Sequence, residues 1–138
     1  MGRRSRVCWA ALIFVGGCVT APVEGPPAPV IQEPGSLEEQ VENAAQLASE
    51  APVQVVRYNP VKCACPMFEV RLGDRWVRVH VDGVDDPESL GGRLLQRAKN
   101  EADHEPPPIY SVTGDLSTSA RRCGQGTLCL SLGVDAVE

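Results

Sequence analysis

The fold is decided by the stretch Met67-Phe68-Glu69-Val70-Arg71-Leu72-Gly73-Asp74-Arg75-Trp76-Val77-Arg78-Val79-His80-Val81. Apolar and polar residues alternate on both sides of Gly73-Asp74, which is the pattern of two strands joined by a two-residue turn. With Leu72 opposite Arg75, every later cross-strand pair follows from the turn. This pairing sorts the side chains into an apolar face and a polar face. We therefore predict an antiparallel hairpin that buries one face.

Shorter patterns predict the elements on either side of this hairpin. β-branched runs between turn residues indicate strands at about 53–58, 109–116 and 127–133, in addition to 67–72 and 75–82. Asp86-Pro87-Glu88 is typical of a helix start with Asp86 as the N-cap, and the helix ends before Pro106. The predicted order is β-β-β-α-β-β, so the fold is expected to be mainly β.

This element order resembles the OB-fold, a five-stranded Greek-key barrel with a helix between its third and fourth strands. The resemblance rests on order and length alone. It implies a small five-stranded barrel, and the alternative is another small α+β sandwich or roll.

The OB-fold resemblance also implies a ligand-binding surface. In that family, ligands bind the outer surface of strands two and three, where aromatic and basic side chains hold them. The corresponding polar face of the hairpin carries Arg71, Trp76, Arg78 and His80. The alternative is that these side chains stabilise the sheet, with Arg71 stacked on Trp76 and Glu69 paired with Arg78.

The N-terminus has the features of an export signal. Met1–Arg6 is basic, and the apolar run Val7–Val15 is nine residues long. A helix of that length spans about 14 Å, less than half of a bilayer core, which is typical of a signal peptide. The run ends in Val15-Gly16-Gly17-Cys18, which resembles the lipobox of bacterial lipoproteins. The resemblance implies cleavage after Gly17 and acylation of Cys18, whereas an ordinary secretory signal with a chance cysteine is the alternative.

The lipoprotein resemblance also implies a location. Multiple acyl chains anchor a protein stably to a membrane. Val19 stands where lipoproteins kept at the inner membrane of enteric bacteria have Asp. We therefore expect anchoring at the outer membrane with the domain facing the periplasm, while inner-membrane or surface-exposed anchoring stays open.

A spacer follows the proposed anchor. Residues 19–35 contain five Pro and two Glu without a periodic apolar face, which is typical of an extended tether. Ser36 and Glu39 form a capping-box pattern that predicts a helix over about 36–50. Because its apolar stripe is thin and Ala-rich, we expect a loosely attached spacer helix, with a partner-binding helix as the alternative. The predicted organisation is a signal peptide (1–17), a lipidated tether with this helix (18–51) and a β domain (52–138).

Four cysteines lie in the predicted domain: Cys63, Cys65, Cys123 and Cys129. Export to an oxidising compartment and an even count favour two disulfides. A Cys63–Cys65 bond is disfavoured because residues two apart in a strand fit disulfide geometry poorly. We therefore expect bonds from the segment before the second strand to the last loop and strand. A Cys₄ zinc site is the alternative, although the spacings Cys-x-Cys and Cys-x₅-Cys differ from zinc knuckles.

Charge and motifs restrict the function classes. The net charge is −5, and residues 51–138 carry ten basic and twelve acidic residues, which disfavours nucleic-acid binding. No catalytic motif stands out, and the two histidines are His80 and His104. We expect no enzyme activity, no cofactor and no metal. The expected function is a lipid-anchored binding module for an envelope protein, a glycan or an anionic ligand, and the alternative is a purely structural lipoprotein of an envelope assembly.

Overall fold

The structure is a computed structural model that describes Gly25 and residues 35–62 and 65–138. The signal sequence, Cys18, most of the tether and Cys63 lie outside the described residues. Residues 34–138 form one compact unit. Within it, one sheet of seven strands packs with two helices, so the domain is mainly β as predicted.

The described elements follow one another as α1 (Leu37–Ser49), β1 (Val53–Tyr58), β2 (Phe68–Leu72), β3 (Arg75–Val81), α2 (Leu90–Asn100), β4 (Ile109–Thr113), β5 (Arg121–Cys123), β6 (Thr127–Leu132) and β7 (Ala136–Val137). The sheet order is β5-β6-β3-β2-β1-β4-β7. All neighbouring strands are antiparallel except β3 and β6, which are parallel. Within the described part of the chain, neither helix is long and apolar enough to cross a membrane.

The central hairpin of β2 and β3 has the predicted register. The pairs run from Leu72 opposite Arg75 to Phe68 opposite Val79. Gly73 has φ of 61° at the turn, a conformation that glycine adopts without steric cost. The prediction is confirmed because a two-residue turn leaves only one register for the strands that it joins.

One cluster of buried side chains joins the apolar side of the sheet to both helices. Its strand members share a face, since Val56 lies opposite Val70 and Val79 lies opposite Leu130. The other face of the central strands is here called the polar face and is defined by Arg57, Glu69, Arg71, Trp76, Arg78 and His80. The helices therefore leave the polar face to be covered by loops or solvent.

Helix α1 belongs to the core, so the expectation of a loosely attached spacer helix was wrong. Ser36 caps the helix as predicted, and its hydroxyl accepts the backbone N–H of Glu39 at 3.2 Å. Val41 is 5% exposed and Ala45 is fully buried. Small side chains such as Ala45 let a helix approach a sheet closely, which a thin apolar stripe alone does not reveal.

The buried Gln54 of β1 ties the sheet to the end of α1. Gln54 is only 3% exposed. Its side-chain amide donates to the carbonyl of Ala48 at 2.9 Å and to that of Ala51 at 2.8 Å. The carbonyl of Ala48 also accepts the backbone N–H of Ala51 at 3.1 Å, so the Gln54 amide adds a further hydrogen bond where the helix ends. Helix and sheet are thus joined by hydrogen bonds as well as by apolar contact.

The structure does not show the five-stranded barrel that the OB-fold resemblance implied. In the described chain, the outermost strands β5 and β7 pair only with β6 and β4, so the sheet is open. β6 adds to β3 in parallel and β5 adds beyond it, while the chain after β4 meets β6 in an isolated bridge between Leu116 and Leu132 that is not a full strand pair. The two additional strands, β5 and β7, are three and two residues long.

The N-cap of helix α2 lies three residues after the predicted one. Ser89 is the cap, and its hydroxyl accepts the N–H of Gly92 at 2.9 Å. The carboxylate of Asp86 instead accepts the N–H of Glu88 at 3.0 Å within the preceding turn. The Asp-Pro pattern therefore marks a turn that leads into the helix, and Asp86 is not the cap.

Two glycines at the start of α2 permit a close contact with that turn. A Cβ on Gly91 would lie 2.0 Å from the carbonyl oxygen of Asp82, and one on Gly92 would lie 1.8 Å from that of Asp86. Glycine weakens a helix by roughly 1 kcal/mol relative to Ala. At Gly91 and Gly92 this lower helix propensity is the cost of packing the first turn of α2 directly on the chain that follows β3.

Candidate ligand-binding site

The centre of the polar face is a buried carboxylate between two guanidinium groups. Glu69 is 8% exposed. Its Oε2 lies 2.6 Å from Nε of Arg57, and its Oε1 lies 3.6 Å from Nε of Arg78. The predicted Glu69–Arg78 pair is confirmed. Arg57 was missed because its position depends on the pairing of β1 with β2, where it lies opposite Glu69.

Trp76 is stacked by a different arginine from the one predicted. Cζ of Arg57 lies 4.3 Å from the centroid of the Trp76 ring. Arg71, the expected partner, donates from Nε to the carbonyl of Gly73 at 3.0 Å. A guanidinium on β1 can contact Glu69 and the indole at once, so Arg57 joins two features of the polar face.

Arg78 holds both ends of the β1–β2 connection. Its Nη1 donates to the carbonyl of Asn59 at 2.5 Å and to that of Pro66 at 3.1 Å. Its side chain is 12% exposed. These contacts, with Glu69, indicate that Arg78 stabilises the polar face and holds Asn59 and Pro66 beside it.

A cavity of about 550 Å³ lies beside this connection. Its walls come from the segment before β2, the end of β3 and the turn after it, α2, β5 and β6. The lining comprises Cys65, Pro66, Met67, Phe68, Val79, His80, Val81, Val84, Asp85, Leu95, Arg121, Arg122, Cys123 and Cys129. Apolar walls with a few charged groups are typical of small-molecule sites, whose volumes are about 300–1,000 Å³.

The charged groups of the cavity come mainly from the edge strand β5. Arg121 hydrogen-bonds the hydroxyl of Ser131, and Nη1 of Arg122 donates to the carbonyl of Gly126 at 3.0 Å. Among the ion pairs of residues 35–62 and 65–138, none involves either arginine. Asp85 is the one acidic residue in the described lining. Arg121, Arg122 and Asp85 together give the described lining two positive charges and one negative charge, a net of +1.

The structure separates the four residues that were predicted to bind a ligand. His80 is exposed and lines the cavity. Arg71, Trp76 and Arg78 do not line it, and each has a contact on the polar face described above. Arg121 and Arg122 were not predicted as site residues because they lie between two predicted strands. Their one visible signal is a pair of adjacent arginines next to Cys123.

The cysteines pair differently from the prediction. Cys123 is bonded to Cys129, with Cα atoms 6.1 Å apart, which excludes both predicted schemes. The two residues lie on neighbouring strands of the tight β5–β6 hairpin, where Cys123 is opposite Thr127. Gly124-Gln125-Gly126 forms its turn, with positive φ at Gln125 and Gly126. Cys63 lies outside the described residues.

Cys65 brings the β1–β2 connection to the same hairpin. Its Sγ lies 3.4 Å from the carbonyl oxygen of Gly124. The two cysteine-containing segments therefore meet, although Cys123 is bonded within its own hairpin. In the part of the chain that the structure describes, no group of three or more His, Cys, Asp or Glu residues is arranged to hold a metal ion.

A second polar cluster fixes the end of α2 to β4. The buried Tyr110 donates from its hydroxyl to Oε2 of Glu101 at 2.8 Å, and Nε of Arg97 lies 3.2 Å from Oε1 of the same carboxylate. The hydrogen bond from Tyr110 lowers the pKa of Glu101, and Arg97 lowers it further. Burial raises the pKa of Tyr110 to about 12, and the bond to Glu101 adds to the rise. This cluster contributes to the stability of the fold, and its residues do not line the cavity.

The cavity is the feature of the described chain that best fits a binding site. It combines a suitable volume with buried apolar walls and two guanidinium groups at the sheet edge. Comparisons with protein-family models, with curated proteins and with solved structures find no match to this chain.

Proposed function

We propose that this protein is a non-catalytic binding module, anchored to the outer membrane through lipid on Cys18, whose cavity beside β5 takes an anionic ligand of the cell envelope. The observation that carries the proposal is the cavity of about 550 Å³ with Arg121 and Arg122 in its lining. Guanidinium groups without a carboxylate partner are suited to hold a carboxylate or phosphate.

The proposed anchor is supported by sequence alone. Val15-Gly16-Gly17-Cys18 follows a basic and then an apolar segment, and a Pro-rich stretch separates Cys18 from the compact unit at residues 34–138. A Pro-rich chain extends by about 3.1 Å per residue. Such a spacer would hold the domain tens of ångströms from the lipid surface, where the cavity can meet periplasmic ligands.

The anchor is tested by Cys18→Ala, with Cys8→Ala as the matched control. Cys8 lies within the apolar segment and has no role in the proposed lipidation. We expect Cys18→Ala to move the protein from the membrane fraction to the soluble fraction and Cys8→Ala to fractionate like the wild type. Equal fractionation of wild type and Cys18→Ala would refute the anchor.

The binding role is tested by photo-crosslinking in cells. A photoreactive residue at position 122 should give adducts with an envelope component. The same residue at Asp103, which is exposed and does not line the cavity, should not give those adducts. Identical adducts from both positions, or none from position 122, would favour a purely structural lipoprotein.

A further inference from the structure

We infer that the cavity binds an amphipathic anion, meaning an apolar chain that ends in a carboxylate or phosphate. The inference rests on the proposed binding role of the same cavity and names its ligand class. It does not depend on the lipid anchor.

The apolar part of the ligand is indicated by the apolar side chains of the lining that are not buried. Met67 is 42% exposed, and Pro66 and Val84 are partly exposed. A small hydrophilic ion would leave these side chains in contact with water. An apolar chain would cover them, which is favourable because apolar surface is then removed from water.

The charge of the ligand is indicated by β5. This strand is the outermost of the sheet, so side chains from both of its faces can reach a cavity at the sheet edge. The two positive charges of Arg121 and Arg122 outnumber the single negative charge of Asp85. The described lining is therefore positive, although the net charge of the chain is −5. A planar guanidinium can hold two oxygens of a carboxylate or phosphate at once.

The volume is consistent with a ligand larger than a simple ion. About 550 Å³ lies within the range of small-molecule sites, about 300–1,000 Å³. A medium-length acyl chain with its head group fits this space. Met67, which is 42% exposed and lines the cavity, provides a flexible apolar side chain that can adapt to chains of different length.

The test is calorimetric titration of residues 18–138 carrying Cys18→Ala, which has no lipid and needs no detergent. The probes are dodecanoate, dodecyl phosphate, inorganic phosphate, acetate and the uncharged amphiphile dodecyl maltoside. We expect both charged amphiphiles to bind at least tenfold more tightly than any of the other three. A preference between dodecanoate and dodecyl phosphate distinguishes a fatty acid from a phosphorylated lipid as the source of the ligand.

Two variants locate the binding. Arg121→Gln with Arg122→Gln should weaken dodecanoate at least tenfold, while the control Arg71→Gln removes an exposed cation outside the cavity and should leave binding unchanged. Met67→Trp places a bulky ring on an exposed position of the lining and should also weaken binding without affecting the fold.

Three results would overturn the inference. Equal binding of dodecyl maltoside would show that charge is not recognised, and equal binding of inorganic phosphate would show that the chain is not recognised. Equal weakening by Arg71→Gln would show nonspecific attraction. A failure of the anchor leaves these titrations unaffected, because the titrated protein carries no lipid, so the two proposals fail separately.

Discussion

The glycines at the start of α2 lead to a prediction about stability. The test is whether replacing Gly92 by Ala raises or lowers the free energy of unfolding. Replacing Gly by Ala inside a helix ordinarily stabilises by roughly 1 kcal/mol. At Gly92 the new Cβ would lie 1.8 Å from the carbonyl oxygen of Asp86 and 2.9 Å from Cα of Pro87. Both are backbone atoms, so no side chain can rotate away to relieve the contact.

The magnitude follows from the displacement required. An ordinary carbon–oxygen contact is about 3.3–3.6 Å, so helix and turn must separate by roughly 1.5 Å. Overpacking costs about 1–3 kcal/mol, and a contact between two backbones belongs at the upper end. After subtracting the helix-propensity gain of about 1 kcal/mol, we expect Gly92→Ala to lower the free energy of unfolding by about 2 kcal/mol. For a domain of this size, that is a fall in Tm of roughly 10 °C.

Thermal and urea unfolding followed by circular dichroism measures this change. The control compares Gln96→Ala with Gln96→Gly, because Gln96 is an exposed position of the same helix. There, Ala should be the more stable by about 1 kcal/mol. If Gly92→Ala were as stable as the wild type or more stable, the close contact between α2 and the preceding turn would be refuted.

Three further predictions concern the polar face, the disulfide and the buried tyrosine. Glu69→Gln removes the charge between Arg57 and Arg78 and should lower the free energy of unfolding by about 1–3 kcal/mol in urea denaturation; an unchanged value would contradict the role of this ion-pair network. Cys123→Ser with Cys129→Ser opens a loop with a sequence separation of 6 and should cost about 2 kcal/mol by the same assay, whereas a loss of about 4 kcal/mol would indicate a long-range bond instead. In an alkaline titration of ultraviolet absorbance, one tyrosine should ionise near pH 12, and this transition should vanish in Tyr110→Phe. Because the pKa of Tyr110 is raised from 10, its contribution to stability is complete below pH 10 and is lost as the pH rises through about 12.

Local patterns predicted the elements whose geometry is set by nearby residues. The β2–β3 register followed from Gly73-Asp74 alone, and Ser36 was recognised as a cap from its spacing to Glu39. The five longer strands were also predicted, although the strand expected at 109–116 ends at Thr113. Beyond Thr113 the chain leaves β1 and pairs with the end of β6 in an isolated bridge between Leu116 and Leu132.

The remaining features depend on contacts between distant parts of the chain. The parallel pairing of β3 with β6 joins Val79 to Leu130, and no turn between them sets that register. β5 and β7 are too short to show alternation. The cavity was not predicted for the same reason. Of the four residues predicted to bind a ligand only His80 lines it, and Arg121 and Arg122 lie on β5.

The short edges of the open sheet have a consequence for how copies of the protein behave at high local concentration. An exposed edge strand offers unpaired backbone groups to which another chain can add, which is a route to aggregation. Here the two outer strands offer only three and two residues, and the three-residue edge carries two arginines. Neighbouring copies would find too little backbone to extend the sheet and would repel each other at β5, so a high local concentration should not lead to edge-to-edge polymerisation.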